Sequence, residues 1–355
     1  MFKKIILSLL ALVTLGVTAS WAQTEEEKAP FSRGFGKFVY TEYEPLADKP
    51  ITVYYYVPKT GDVANMRVLF VLHGAERSGK GVANMWRKFA ERDGFVVIAP
   101  EYNIKIYPGW RYQGGGLMYK GKLQPREKWT YSTIEPIFDY FKSVTGSKAE
   151  KYDFWGFSAG GQFAHRFALT VPDSRADIII AGNPGTWTFP LIDGLPSKFE
   201  DGKTYGWNSS VKDTPFANEE SIKKFLARKL YVHIGKLDIA TTGKYVPKTQ
   251  AALSQGEHRL ARARNFYETG RKIAKKNGWE FNWRKVELDD IAHSARSTVY
   301  GAWTMGEDGK RKFDINNYST NSAYYLIFKK GWDDGDDKVK TKKAKKAKKV
   351  KKGKK

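Results

Sequence analysis

The run Tyr152-Asp153-Phe154-Trp155-Gly156-Phe157-Ser158-Ala159-Gly160-Gly161 closes an apolar segment with a Gly-x-Ser-x-Gly sequence. Alone, that pattern is weak in a chain with 33 glycines. Its setting is more specific, with a short strand pattern before it and a helix pattern, Gly160 to Leu169, behind it. A serine on a sharp strand-to-helix turn has its hydroxyl lifted clear of the backbone, and the N–H of the next residue aims at the same point. Bulk two positions to either side would strike the adjoining strand or helix, hence the glycines. The turn predicts Ser158 as a nucleophile at the C-terminal edge of a sheet. A tight connection without chemistry is the plain alternative.

Outward from this turn, short apolar runs alternate with longer amphipathic ones. That alternation marks an α/β fold, with a mostly parallel central sheet and helices on both faces. Ile51 to Val57 is β-branched and aromatic, an early strand. Val68 to Leu72 and Phe95 to Ala99 are continuously apolar, as strands buried on both faces should be. Tyr152 to Trp155, Ile178 to Ala181, Leu230 to Ile234 and Phe281 to Leu288 complete the set of strands, with helices expected near 82–92 and 257–276. Ser132-Thr133-Ile134-Glu135 reads as a capping box, followed by apolar residues at helical spacing. One domain is expected over 46–332, with a small loop-rich insert near 186–222 and a linker over 23–45.

A serine hydroxyl attacks only when a base takes its proton. Five histidines are available: His73, His165, His233, His258 and His293. His165 lies within the helix after Ser158, His258 opens an Arg-rich helix, and His233 sits inside a buried strand; these read as structural or solvated. His73 ends an upstream strand. The chain order Ser…Asp…His calls for a base downstream, which selects His293, in a loop just past the last strand. Asp238 follows the strand at 230–234 and is the expected acid, with Asp289 and Asp290 as rivals. Two N–H donors for a developing oxyanion are expected from Ala159 and, in the His73-Gly74-Ala75 loop, Ala75.

At these residues the chain resembles the α/β-hydrolase superfamily, and within it exported esterases of the polyhydroxybutyrate-depolymerase and feruloyl-esterase-like group. The strand-LHGA loop, the GFSAGG turn, the HIGKLD segment and the AHS segment carry the resemblance, spread over about 46–300. It implies an α/β-hydrolase fold and a Ser-His-Asp carboxylic-ester hydrolase working through an acyl-enzyme without a cofactor. The chain departs from that group in having no cysteine for disulfides and no separate substrate-binding domain. An aromatic loop over 102–119 offers Tyr107, Trp110 and Tyr112 as a substrate platform, and Trp187 in the insert is placed as a roof. The alternative is that these rings pin down a long loop.

Composition bounds the rest. The absence of cysteine excludes a disulfide scaffold, thiolate metal sites and a cysteine nucleophile. No two histidines stand at ligand spacing, so no metal site is expected, and no phosphate-binding glycine motif follows a strand. Residues 1–22 read as an export signal: Lys3 and Lys4, an apolar run too short to span a bilayer, then small residues at Ser20 and Ala22. The expected location is periplasmic or secreted, with no transmembrane segment. Residues 333–355 read as a disordered tail, its last eighteen residues holding twelve lysines. Of the +23 formal charge only +9 remains over 23–337. The tail either grips an anionic polymer or cell surface or is merely solvated; it lacks the interleaved aromatics that single-stranded nucleic acid calls for. The expected partner is an ester-containing small molecule or polymer. The alternatives are amide hydrolysis in peptides or an acidic polyamide, and an inactive binding protein on the same fold.

Overall fold

Val68, Phe70 and Leu72 pack into one apolar cluster while Leu69 and Val71 pack into another, so successive residues of a single strand serve two cores. That is the consequence of a two-residue side-chain period in a strand covered on both faces. The computed structural model describes residues 29–332. The expected export signal over 1–22 and the Lys-rich tail over 333–355 lie outside the described residues.

Eight strands form the main sheet among the described residues: β1 (Gly34–Tyr40), β2 (Ile51–Val57), β3 (Arg67–Leu72), β4 (Phe95–Glu101), β5 (Tyr152–Phe157), β6 (Ala176–Gly182), β7 (Leu230–Gly235) and β8 (Arg284–Leu288). Their order is β1-β2-β4-β3-β5-β6-β7-β8. β2 is antiparallel to both β1 and β4, and every other pairing is parallel. The mostly parallel sheet read from the sequence is therefore present. Helices among the described residues include α1 (Gly79–Asp93), α2 (Ile134–Thr145), α3 (Ala159–Thr170), α4 (Glu219–Leu226), α5 (Arg259–Asn277) and α6 (Ala295–Tyr300). Phe138, Phe163, Phe225 and Phe266 bring α2, α3, α4 and α5 to one face; Trp86, Phe89 and Val299 bring α1 and α6 to the other.

Register places the strand ends together. Leu72 pairs with Gly156, Phe157 with Gly182, His233 with Gly182, and Gly235 with Leu288. The loops that leave β3, β5, β6, β7 and β8 thus emerge along one edge, where open α/β sheets hold their ligands.

Two local readings need correction. The stretch read as a linker over 23–45 contains β1, whose seven residues pair with β2. The Ser132–Glu135 capping box does not form. A short 3-10 turn, Thr130–Thr133, precedes α2; the Ser132 hydroxyl donates to the Arg126 carbonyl, and Glu135 accepts from the Tyr152 hydroxyl and the Arg175 backbone N–H. The insert near 186–222 is loop-rich as expected: before α4 begins at Glu219 its strands are a two-residue pair, Leu195–Pro196 with Thr204–Tyr205.

Candidate active site

The turn after β5 explains its glycines. A Cβ on Gly156 would stand 2.1 Å from the Gly160 carbonyl oxygen, and one on Gly160 would stand 2.5 Å from that of Leu72. Only hydrogen fits at either position. Ser158, between them, has φ +54°, a left-handed conformation that costs a non-glycine residue roughly 1–3 kcal/mol. Its backbone N–H donates to the Gly182 carbonyl at 2.8 Å, which ties the turn to the end of β6. Ala159 opens α3, so its N–H is one of those that have no acceptor within the helix.

His293 lies in the loop between β8 and α6, and its ring spans two partners. Nε2 is 3.0 Å from the Ser158 hydroxyl, and Nδ1 is 2.7 Å from Oδ2 of Asp238. An ionised carboxylate only accepts hydrogen bonds, so Nδ1 carries the ring proton and Nε2 is left to accept from the serine. Asp238, in the loop after β7, is buried and receives two further donors: Asn183 Nδ2 to Oδ2 at 2.6 Å and Arg259 Nη1 to Oδ1 at 3.1 Å. Burial by itself would raise the Asp238 carboxyl. The His293 hydrogen bond and charge, with Arg259 and Asn183, outweigh it and hold the group below its ordinary value. Asp289 instead accepts from Lys236 at 2.6 Å, in an exposed pair.

The loop after β3 closes the other side. A Cβ on Gly74 would lie 3.7 Å from that of Ser158, so this backbone passes directly over the serine. His73 holds the loop: Nε2 accepts from the Tyr102 N–H at 3.0 Å, which leaves Nδ1 to donate to the Gly74 carbonyl at 3.0 Å. Burial pushes the His73 imidazole down to about 3, so it stays neutral. A cavity of about 280 Å³ opens above Ser158, with Ala75, Glu76, Met85, Phe157, Tyr245 and His293 in its wall. A larger hollow of about 510 Å³ on the insert, near Phe189 and Asp193, contains none of these residues.

No family model and no curated protein matches the sequence. Among solved structures, the poly(aspartic acid) hydrolase-1 of Sphingomonas sp. KT-1 is 34% identical, with a TM-score of 0.68 over 75% of this chain and 95% of that one. The chain belongs to the α/β-hydrolases. The poly(3-hydroxybutyrate) depolymerase of Bordetella parapertussis is similar to this hydrolase at 28% identity, with a TM-score of 0.68 over 80% of this chain and 93% of that one. Among the described residues of the hydrolase, no helix is long and apolar enough to cross a membrane.

Three of the four aromatic residues read as substrate contacts belong to the core of the hydrolase. Tyr107 is fully buried and donates to the Lys49 carbonyl at 2.6 Å. Tyr112, also fully buried, stacks on His73 with ring centres 4.6 Å apart and donates to its carbonyl at 2.7 Å. Trp187 lies under the insert rather than over the serine, 4.5 Å from Phe266. Trp110 stays partly exposed against Tyr119 and Arg111. None of the four lines the Ser158 cavity. The remaining histidines hold structure: His165 accepts from the Thr188 N–H, His233 donates to the Asn321 carbonyl, and His258 caps α5.

Asn183, Arg259 and Tyr245 were not singled out from the sequence. Asn183 had a usable signal, since it follows an apolar strand beside the Ser158 turn, and it takes φ +46°, which asparagine tolerates better than most residues. Arg259 had none. It stands in a helix rich in exposed cations.

Proposed function

We propose that this hydrolase is exported and cleaves carboxylic esters, in a polyester or an acylated polysaccharide, through an acyl-enzyme on Ser158. The observation that carries the reading is the His293 ring between the Ser158 hydroxyl at 3.0 Å and Asp238 at 2.7 Å. Ser158 Oγ attacks the ester carbonyl while His293 Nε2 takes its proton. The N–H groups of Ala159 and Ala75 receive the oxyanion, each donor being worth roughly 3–4 kcal/mol of barrier. His293 returns the proton to the leaving alcohol, and the ester oxygen departs. Water then repeats the sequence on the acyl-enzyme and releases the acid. Asp238 keeps the ring in the tautomer that can do this and stabilises its cation. Residues 1–22 direct export, and the lysines of 338–355 hold the enzyme near an anionic polymer or cell surface.

Ser158→Ala tests the reading. Turnover of a neutral p-nitrophenyl ester should fall by a factor on the order of 10⁶, and labelling by a fluorophosphonate probe should vanish. Retained turnover would remove Ser158 from the chemistry, and a wild-type protein that resists the probe would be an inert binding protein.

One observation favours a second bond type. The relative that is 34% identical is named for hydrolysis of poly(aspartic acid), and the body of this chain is basic. A positive body raises the encounter rate with a polyanion in a salt-dependent way. Glu76 weighs against an anionic group bound in the cavity itself, since it puts an exposed carboxylate in the wall. Release of acid from poly(aspartic acid) that weakens with salt, beside slow ester turnover, would favour the amide.

A further inference from the structure

Arg259 is the first residue of α5, and it is 2% exposed. A cation there opposes the helix dipole and sits out of water, two costs that a neutral tether would avoid. What the guanidinium touches accounts for it. Nη1 donates to Asp238 Oδ1 at 3.1 Å, and Nη2 donates to the Tyr245 carbonyl at 2.8 Å. Tyr245 lies in the wall of the Ser158 cavity, on a segment, 239–249, without helix or strand. One turn along α5, the buried Arg262 donates to the Pro247 carbonyl at 3.0 Å, on the same segment, and to the Gly185 carbonyl at 2.8 Å. The loop that shapes the cavity is therefore fastened to the helix by two arginines, one of which shares its fork with the acid beside His293.

We propose that Arg259 is a positioning residue that fastens the 239–249 loop to the Asp238 carboxylate and, through its charge, extends the reaction to lower pH. The inference rests on the reading of Ser158, His293 and Asp238 as a catalytic set. The charged and titratable groups around the carboxylate are His293 from the β8–α6 loop and Arg259 and Arg262 from α5; Asn183 adds a neutral donor from the end of β6. Asp238 stabilises the imidazolium that forms during the reaction. Arg259 draws on the same negative charge at 3.1 Å, so less of it is left to stabilise that imidazolium. A planar fork reaches carboxylate and carbonyl from two nitrogens held in a fixed geometry, which the single rotating ammonium of a lysine does not reproduce.

Initial rates of the whole enzyme with a neutral p-nitrophenyl ester, taken across the acidic range, test this with two substitutions. For Arg259→Gln, the acidic limb of kcat/KM should move up by on the order of one pH unit, and KM should rise several-fold. For Arg259→Lys, the limb should stay in place while KM rises. Loss of activity in Arg259→Gln by one factor at every pH, with the limb unmoved, would overturn the charge role. Should Arg259→Gln fail to fold, Arg259→Lys decides: a shifted limb, or an unchanged KM, overturns the proposal. Fluorophosphonate labelling of the wild type separates the two levels. An enzyme that does not label at Ser158 sinks the catalytic reading, whereas normal labelling with unaltered Arg259 variants sinks this inference alone.

Discussion

His293 and Asp238, 55 residues apart in the chain, meet at 2.7 Å because β7 and β8 are parallel neighbours whose ends are in register at Gly235 and Leu288. Each side chain leaves the sheet a few residues past its strand, on the same edge. Replacing Asp238 by Asn keeps the shape and reverses the polarity, since an amide can turn its NH₂ toward the ring and favour the wrong tautomer. Ester kcat should fall by about 10⁴ for Asp238→Asn, with far-UV circular dichroism unchanged. A loss of ten-fold or less would mean that His293 is oriented by something other than this carboxylate.

Gly160 makes a prediction about stability. Its missing Cβ would lie 2.5 Å from the Leu72 carbonyl oxygen and 2.8 Å from that of His73, and backbone cannot step aside. Gly160→Ala should destabilise by more than about 3 kcal/mol, read as a lowered urea midpoint. Gly94 is the control: it ends α1 with φ +70° and open space around it, so Gly94→Ala should cost only about 1 kcal/mol. Equal costs at the two positions would refute the claim that close approach fixes Gly160.

The same contrast marks what the sequence made legible. Continuous apolar strands and a glycine-flanked serine are local signals, and together with the chain order Ser…Asp…His they pointed to Ser158, Asp238 and His293 at one edge. Which way an aromatic ring faces is not local. Tyr112 is claimed by the His73 carbonyl and Trp187 by Phe266, partners far away in the chain, so the platform read over 102–119 became core. Glu135 was likewise drawn from its expected cap by Tyr152 and Arg175. Buried cations were the hardest to see. Arg166 is 1% exposed and satisfied by Thr186, Thr188, Gln162 and carbonyl oxygens, and apart from Gln162 those partners lie 20 or more residues away in the chain.

Trp187 and Tyr245 can be told apart by what their removal changes. Trp187 is core, so Trp187→Ala should cost about 3–5 kcal/mol of stability and leave the KM of the protein that remains folded near the wild-type value. Tyr245 is half exposed in the cavity wall, so Tyr245→Ala should raise KM for bulky acyl esters with the urea midpoint nearly unchanged. Thermal melts beside Michaelis–Menten curves read both. If Trp187→Ala raised KM without lowering stability, the ring would belong to the substrate site after all.

Acid should unfold this protein through its buried imidazoles. Burial is the main cause of a depressed affinity for protons at three of them: His73 is pushed down to about 3, His233 to about 4, and His165 well below the ordinary 6.5. Each ring binds a proton more readily in the unfolded chain. The stability they contribute is therefore complete above about pH 6.5 and is lost as pH falls toward the folded values. Within that window each ring removes up to about 1.4 kcal/mol per pH unit, so three together give a slope of roughly 4 kcal/mol per pH unit. His233 is the ring to change, because Nε2 makes its one hydrogen bond, to the Asn321 carbonyl at 2.8 Å, while Nδ1 is buried without a partner. Gln at that position keeps a donor and cannot take up a proton. Urea melts at about pH 7 and about pH 5 should show a steep loss for the wild type and a loss smaller by about one third for His233→Gln. Identical slopes for the two proteins would mean that the His233 ring takes up a proton as readily in the fold as in the unfolded chain, and the neutral core described for it would be wrong.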